Sequence, residues 1–250
     1  MASTEVATNG TTVDTPVNGT STTNRPVICV FCGASDGTSP VHMAAARALA
    51  EMLHKVGAQL VYGGGTVGLM GEIARTLVSL SGPDAVHGII PLPLIKLEQN
   101  YDEEMEKERL SGKAPSGSGP RNVIDEKIFG RTTIVKDMHS RKQMMAQCVM
   151  AGGPGSGFVA LSGGFGTMEE LMEVTTWNQL GIHGRGVVIY NVDGYWDGLI
   201  NWVKGAVSHG FIAPTNAGIL VEALSAEEVI KCLREYECAE GRFKLNWDEN

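Results

Sequence analysis

The stretch Phe158–Glu170, "FVALSGGFGTMEE", reads as strand, turn and helix in one short run. Phe158–Leu161 is continuously apolar rather than alternating, as a strand buried on both faces is. Gly163–Gly166 forms the turn and Thr167 starts the helix, its hydroxyl suited to an N-cap or first-turn position. A glycine turn between a buried strand and a helix start is suited to an anion. The first backbone N–H groups there lack partners, and the helix dipole favours negative charge. Two carboxylates, Glu169 and Glu170, nonetheless follow in what this reading makes the first helical turn. Charge–dipole complementarity, worth about 0.3–1 kcal/mol, is one explanation. If the loop holds phosphate, the acids must instead face sugar hydroxyls or a developing positive charge. Adjacent helical residues diverge by about 100°, so the two have different surroundings.

The same unit recurs along the chain. Further short apolar runs are Val27–Cys32, Gln59–Tyr62, Val86–Ile90, Thr132–Val135, Val187–Asn191 and Gly218–Val221. Helical patterns lie between most of them: Val41–Val56, Leu69–Leu80, Met138–Met150, Thr167–Leu180, Trp196–His209 and Ala226–Tyr236. Strand–helix alternation with doubly buried strands predicts an α/β fold: a single Rossmann-like domain, a parallel sheet with helices on both faces. The expected domain covers 26–238. Residues 1–25, rich in Ser, Thr, Asn and Gly, read as a disordered tail, and 239–250 as a C-terminal tail. Within the domain, 99–123 breaks the rhythm with a charged and then Gly/Ser/Pro-rich stretch, expected as a tolerated surface insertion rather than a lid.

The formal net charge of −8 argues against non-specific nucleic-acid binding, which needs a broad basic surface, but leaves room for a phosphorylated small ligand. No run approaches the ~20 apolar residues of a membrane span. The first residues match neither a secretory signal nor a mitochondrial presequence. The five cysteines are an odd number and most sit in apolar runs, so they read as reduced thiols in a reducing compartment, and the protein as cytoplasmic. Cys29 and Cys32 have CxxC spacing but, inside a strand, point to opposite faces and cannot share a metal. No other cluster has metal-site spacing.

Two further stretches carry chemistry. Tyr62–Gly71, "YGGGTVGLMG", satisfies G-x-G-x-x-G with Gly63, Gly65 and Gly68 between a strand and a helix. No carboxylate follows in Val86–Pro91, where a dinucleotide site would hold its ribose, so NAD binding is weakened. Mononucleotide binding and simple close packing of a glycine turn both remain open. In "DMHSRKQMM" (Asp137–Met145), Asp137 looks like an N-cap, and Arg141 with Lys142 stands near a first turn, where cations oppose the dipole. A local rule broken without visible compensation marks a functional site, and an anionic ligand would supply the compensation. Met138, Met145 and Cys148 read as packing, and His139 as a surface histidine.

Together these motifs resemble the LOG ("Lonely guy") family of cytokinin riboside 5′-monophosphate phosphoribohydrolases, from a group once labelled lysine decarboxylase-like. The resemblance spans Val27 to Tyr236. It rests on Val30–Ser35 ("VFCGAS"), "YGGGTVGLMG", "DMHSRK", the loop Ser162–Glu170 against the family's P-G-G-x-G-T-x-x-E, and Thr176–His183 ("TWNQLGIH"). It implies hydrolysis of the N-glycosidic bond of N6-substituted adenosine 5′-monophosphates to free base and ribose 5-phosphate, without a cofactor. By the same resemblance Arg141 and Glu170 are catalytic, and Gly163, Gly164, Gly166, Thr167, Glu169, Lys142, Thr176 and Glu98 bind the substrate. It further implies a homodimer or larger homo-oligomer in which neighbouring subunits complete the site. Glu170 is expected to stabilise the ribosyl cation or orient water. Arg141 is expected to clamp the phosphate or assist the leaving base, since a guanidinium keeps its charge through the working pH range. Ser162 stands where the family has proline, and the 99–123 insertion adjoins the expected substrate rim. Alternatives are a broad AMP nucleosidase, a non-enzymatic nucleotide or molybdopterin carrier, and a pyridoxal-phosphate-dependent decarboxylase with Lys142 as its Schiff-base lysine.

Overall fold

A computed structural model describes residues 25–97, 124–245 and 247. Strands β1 (Val27–Phe31), β2 (Gln59–Tyr62), β3 (Val86–Pro91), β4 (Arg131–Val135), β5 (Gly157–Ala160), β6 (Gly186–Tyr190) and β7 (Leu220–Ala223) form one sheet. All its ladders are parallel and its order is β4-β3-β2-β1-β5-β6-β7. The helices are α1 (Pro40–Val56), α2 (Gly68–Ser81), α3 (Glu126–Phe129), α4 (Met138–Ala151), α5 (Phe165–Gln179), α6 (Asp197–Ser208) and α7 (Ala226–Arg234).

Every residue of β1 is buried, and its side chains serve two cores in alternation. Ile28 and Val30 join the layer of α1, α2 and α7 through Leu49, Leu53, Ile73, Leu77 and Val229. Cys29 and Phe31 face the layer of α4 and α5 through Met145, Val149, Leu171 and Val174. Burial on both faces is why these strands read as unbroken apolar runs. The expected α/β architecture is observed, with helices on both sides.

The chain walks outward from β1 to β4, then returns to lay β5 against the other side of β1. That reversal opens a crevice between the loops leaving β1 and β5, the place where open parallel sheets hold ligands. The two loops are tied to each other: Leu161 N–H donates to Phe31 O and Gly33 N–H to Ser162 O, both at 2.9 Å.

Several element boundaries differ from expectation by one or two residues, α7 for example ending at Arg234 rather than Tyr236, and two of them are instructive. Helix α5 begins at Phe165, not Thr167. Gly164 is its N-cap, extended at φ −94° and ψ −150°, and its carbonyl accepts Met168 N–H at 3.1 Å. Glu169 and Glu170 therefore lie in the second turn, and the first turn holds no acid. The strand expected at Gly218–Val221 runs instead over Leu220–Ala223, because Pro214–Asn216 makes a 3-10 turn and Ile219 N–H still bonds back to Asn216 O.

The segment expected as a C-terminal tail meets the end of α5. Arg242 donates through Nε to Asn178 O at 2.7 Å and through its terminal nitrogen to His183 O. Phe243 N–H donates to Gln179 O at 2.8 Å and Trp247 Nε1–H to Leu180 O at 3.1 Å. These donors satisfy carbonyls that a helix C-terminus leaves without partners.

Candidate active site

The crevice holds a cavity of about 720 Å³ lined by the β1 loop, the starts of α1, α2 and α5, and Arg141, Glu170 and Tyr195. That volume lies within the usual range for small-molecule sites. Gly163, Gly164, Gly166 and Thr167 line it. A Cβ added at Gly164 or Gly166 would meet nothing within 4 Å, so these backbones stand open to a ligand. The N–H groups of Phe165, Gly166 and Thr167, in the first turn, have no intrahelical partner.

Anion preference is written into three helix starts at once. Helices α1, α2 and α5 all begin at this cavity, and none has a side-chain cap or an acid in its first turn. Other helices are capped by side chains: Asp137 accepts from Ser140 N–H on α4, and Ser225 accepts from Glu228 N–H on α7, while α6 has no side-chain cap but an acid, Asp197, in its first turn. At α2 the Met70 N–H is taken by Gly33 O at 3.3 Å, so the starts of α1 and α5 carry most of the positive end presented to this space, which a phosphate neutralises.

Arg141 and Glu170, expected to be catalytic, meet in the wall of this cavity, 8% and 6% exposed respectively. Arg141 lies 3.1 Å from Glu170 Oε1, and its Nε donates to Ile89 O at 3.2 Å. The 3.1 Å approach is an ion pair without hydrogen-bond alignment, so Glu170 Oε1 is a buried acceptor with no hydrogen-bond donor among the described residues. Such an atom costs about 1–3 kcal/mol unless a ligand or water satisfies it. Burial pushes the Glu170 carboxyl above its ordinary range against the pull of Arg141, and Glu169 adds to the rise.

The first glycine loop is scaffolding for that pair. A Cβ at Gly63 would sit 1.8 Å from an Arg141 terminal nitrogen, so the bare glycine makes room for the guanidinium. Gly68, at φ +59°, lies against the β1 loop, where a Cβ would be 2.3 Å from Ala34 and Ser35 backbone. Of the two readings left open, close packing holds. None of Gly63, Gly64 and Gly65 lines the cavity, which Leu69 and Met70 reach instead.

The remaining expected residues separate from this group. Lys142 binds Glu169 at 2.5 Å and Glu173 at 3.1 Å. With exposed Thr176 they run along one face of α5 beside the cavity, outside its lining. Burial disfavours the Lys142 charge, but the two glutamates outweigh it and raise its pKa. Glu98 lies outside the described residues. Lining residues that sequence reasoning did not assign to the site include His42, Ser162 as a hydrogen-bonding group, and Tyr195. Tyr195 donates from its hydroxyl to Gly163 O and is set by a turn in which Asp193 and Gly194 both have positive φ. That turn is held by Asn191, which bonds Asp197, Glu222 and the Trp196 N–H. The substitution of serine for the family's proline was the available signal.

Comparison with known proteins decides the family. Residues 70–233 match the family model described as "Possible lysine decarboxylase". An Arabidopsis thaliana protein named cytokinin riboside 5′-monophosphate phosphoribohydrolase LOG7 is 41% identical over 89% of this chain and 88% of its own.

The chain belongs to the LOG family.

A further relative is a Fusarium pseudograminearum protein named as a bifunctional cytokinin biosynthesis protein, 51% identical over 88% of this chain. The chain spans only 42% of that protein's length. Among solved structures, the molybdenum cofactor carrier protein of Chlamydomonas reinhardtii is similar at a TM-score of 0.54 and 17% identity, covering 84% of this chain and 97% of its own. The molybdenum cofactor binding protein of Rippkaea orientalis gives 0.52 and 16%, covering 84% and 96%. At such identities the likeness concerns the fold alone, which the LOG family thus shares with proteins of other function. Among the described residues no helix is long and apolar enough to cross a membrane, and no cluster of metal-ligating side chains occurs.

Proposed function

We propose that this LOG-family chain hydrolyses the N-glycosidic bond of cytokinin (N6-substituted adenosine) 5′-monophosphates, releasing the free base and ribose 5-phosphate. The observation that carries it is the buried Arg141–Glu170 pair, 3.1 Å apart in the cavity wall and a few residues from an open glycine loop at a helix start without a side-chain cap. With the phosphate on the N–H groups of the Gly163–Thr167 loop, the ribose extends toward Glu170. Remote phosphate binding then becomes orientation of the reacting carbon. The C1′–N9 bond breaks, its electron pair leaves with the purine, and water adds to the oxocarbenium-like C1′. Glu170 stabilises the positive charge and takes the proton from that water. A carboxyl raised by burial is the stronger base for that step. Arg141 holds Glu170 in place and offers a donor to the departing base. This division assigns catalysis to Arg141 and Glu170, and substrate binding to Gly163, Gly164, Gly166 and Thr167.

Lys142, Glu169 and Thr176 belong, on this reading, to a face completed by a second copy of the chain, where they would bind the substrate across the interface, with Glu98 a further substrate-binding residue. Exposed Met138 and Met150 on α4 and Phe165, 98% exposed at the start of α5, support burial of these helices in a homo-oligomer. No membrane, nucleic acid or bound cofactor takes part, and the reaction belongs to the cytoplasm.

The pyridoxal-phosphate alternative needs a Schiff-base lysine, whereas the cavity's lining includes no lysine among the described residues and Lys142 is held by two glutamates. Glu170→Gln tests the assignment. Base release is expected to fall by about 10²–10⁴, the usual contribution of such a group, with nucleotide affinity retained. Full activity in this variant contradicts it. Relative rates on AMP and on a prenylated AMP separate cytokinin selectivity from a broad AMP nucleosidase.

A further inference from the structure

Besides Arg141 and Glu170, the cavity lining carries a second polar group that the proposed chemistry leaves unused. Ser162 Oγ lies 2.9 Å from His42 Nδ1, and both residues line the cavity. Ser162 is buried, and its carbonyl is committed to Gly33 N–H, so its hydroxyl is fixed beside the start of the glycine loop. The His42 ring packs edge-on against Tyr195 at 5.7 Å, and Tyr195 in turn holds Gly163 O. His42 stands in the first turn of α1, where a positive side chain opposes the dipole.

A phosphate on this loop needs a counter-charge. Arg141 is engaged with Glu170 and Ile89 O. His42 is the other side chain in the described lining able to carry positive charge, while Asp36 and Glu170 are its acids. We propose that His42, acting with Ser162, recognises the 5′-phosphate of the substrate and so selects nucleotides over nucleosides. The inference rests on the reaction proposed above. In the imidazolium form both ring nitrogens donate. Nδ1–H then points at Ser162 Oγ, which frees the hydroxyl hydrogen to turn toward a phosphate oxygen. One charge, one hydroxyl and the first-turn N–H groups of α5 converge on the anion. Ser162 contributes a hydroxyl here that a proline, alanine or glycine at this position would not offer.

The test compares wild type with His42→Gln and Ser162→Ala, using calorimetric binding of ribose 5-phosphate and of adenosine alongside turnover of AMP and isopentenyladenosine monophosphate. In His42→Gln, ribose 5-phosphate binding is expected to weaken about ten- to hundredfold, the range for a hydrogen bond to a charged group. Nucleotide kcat/KM should fall by a similar factor, and adenosine binding should not change. Ser162→Ala should lose affinity in the same sense by a smaller factor. Unchanged ribose 5-phosphate affinity, or equal weakening of adenosine, overturns the proposal. Should glutamine at 42 disturb the fold, Ser162→Ala decides by the same readout. If wild type binds ribose 5-phosphate but releases no base, the hydrolytic reading fails, and the binding data still judge His42.

Discussion

Gly63 and Gly164 make opposite demands, and the difference separates scaffold from site. Alanine at 63 would drive its Cβ to 1.8 Å from the Arg141 guanidinium, the far end of a flexible side chain. The chain is expected to stay folded while Arg141 leaves Glu170, so Gly63→Ala should lose most of its kcat with a circular dichroism spectrum like that of wild type. Alanine at 164 meets nothing in the protein, but its methyl enters the cavity at the anion loop. Gly164→Ala should keep its thermal midpoint within a few degrees and raise the nucleotide KM about tenfold or more, read by steady-state kinetics. Sequence periodicity does not distinguish the two glycines, since both lie between a strand and a helix. What separates them is the packing of α4 across the sheet edge, which brings Arg141 against Gly63. The Ser162–His42 contact is equally non-local, joining residues 120 positions apart, whereas Arg141 was legible because a cation in a first turn breaks a local rule.

Helix α5 carries Thr167, Glu169 and Glu170, and both of its ends are controlled. Its start is left uncapped toward the cavity. Its last turn is capped by donors from Arg242, Phe243 and Trp247 and braced by His183. Arg242→Ala should destabilise the protein by about 1–3 kcal/mol in urea unfolding, the range for losing charge-assisted bonds to buried carbonyls. Buried His183 lies 2.8 Å from Val174 O through Nε2 and accepts from Arg185 N–H at Nδ1, which requires the neutral ring. Burial is the main cause that pushes its pKa down to about 4 from 6.5. A base depressed in the fold binds its proton more readily when unfolded. Stability is therefore complete above about pH 6.5 and is lost as pH falls through about 4. The loss over that window is about 3 kcal/mol, and His183→Gln should flatten it in urea titrations at pH 7.5 and 4.5. The sequence placed α5 two residues late, because a glycine N-cap leaves no side-chain signature, unlike Asp137 or Ser225 at the other helix starts.

On the scale of the molecule, the parallel sheet was legible because both its faces are covered, which made its strands continuous apolar runs. The sheet order was not legible, since nothing local in β5 says that it pairs with β1 rather than β4. That order nevertheless creates the crevice, and through it brings Gly33, His42, Arg141, Ser162 and Glu170, from distant parts of the chain, around one cavity. The exposed faces of α4 and α5 are expected to be buried in a homo-oligomer. Light scattering should give at least twice the 26.6 kDa chain mass, and Phe165→Asp should shift it toward the monomer. The most direct test of the central claim is a product assay of the purified chain with isopentenyladenosine 5′-monophosphate. The account predicts equal amounts of free isopentenyladenine and ribose 5-phosphate, released about 10²–10⁴-fold more slowly by Glu170→Gln. Tight binding of the nucleotide with no base released would contradict it.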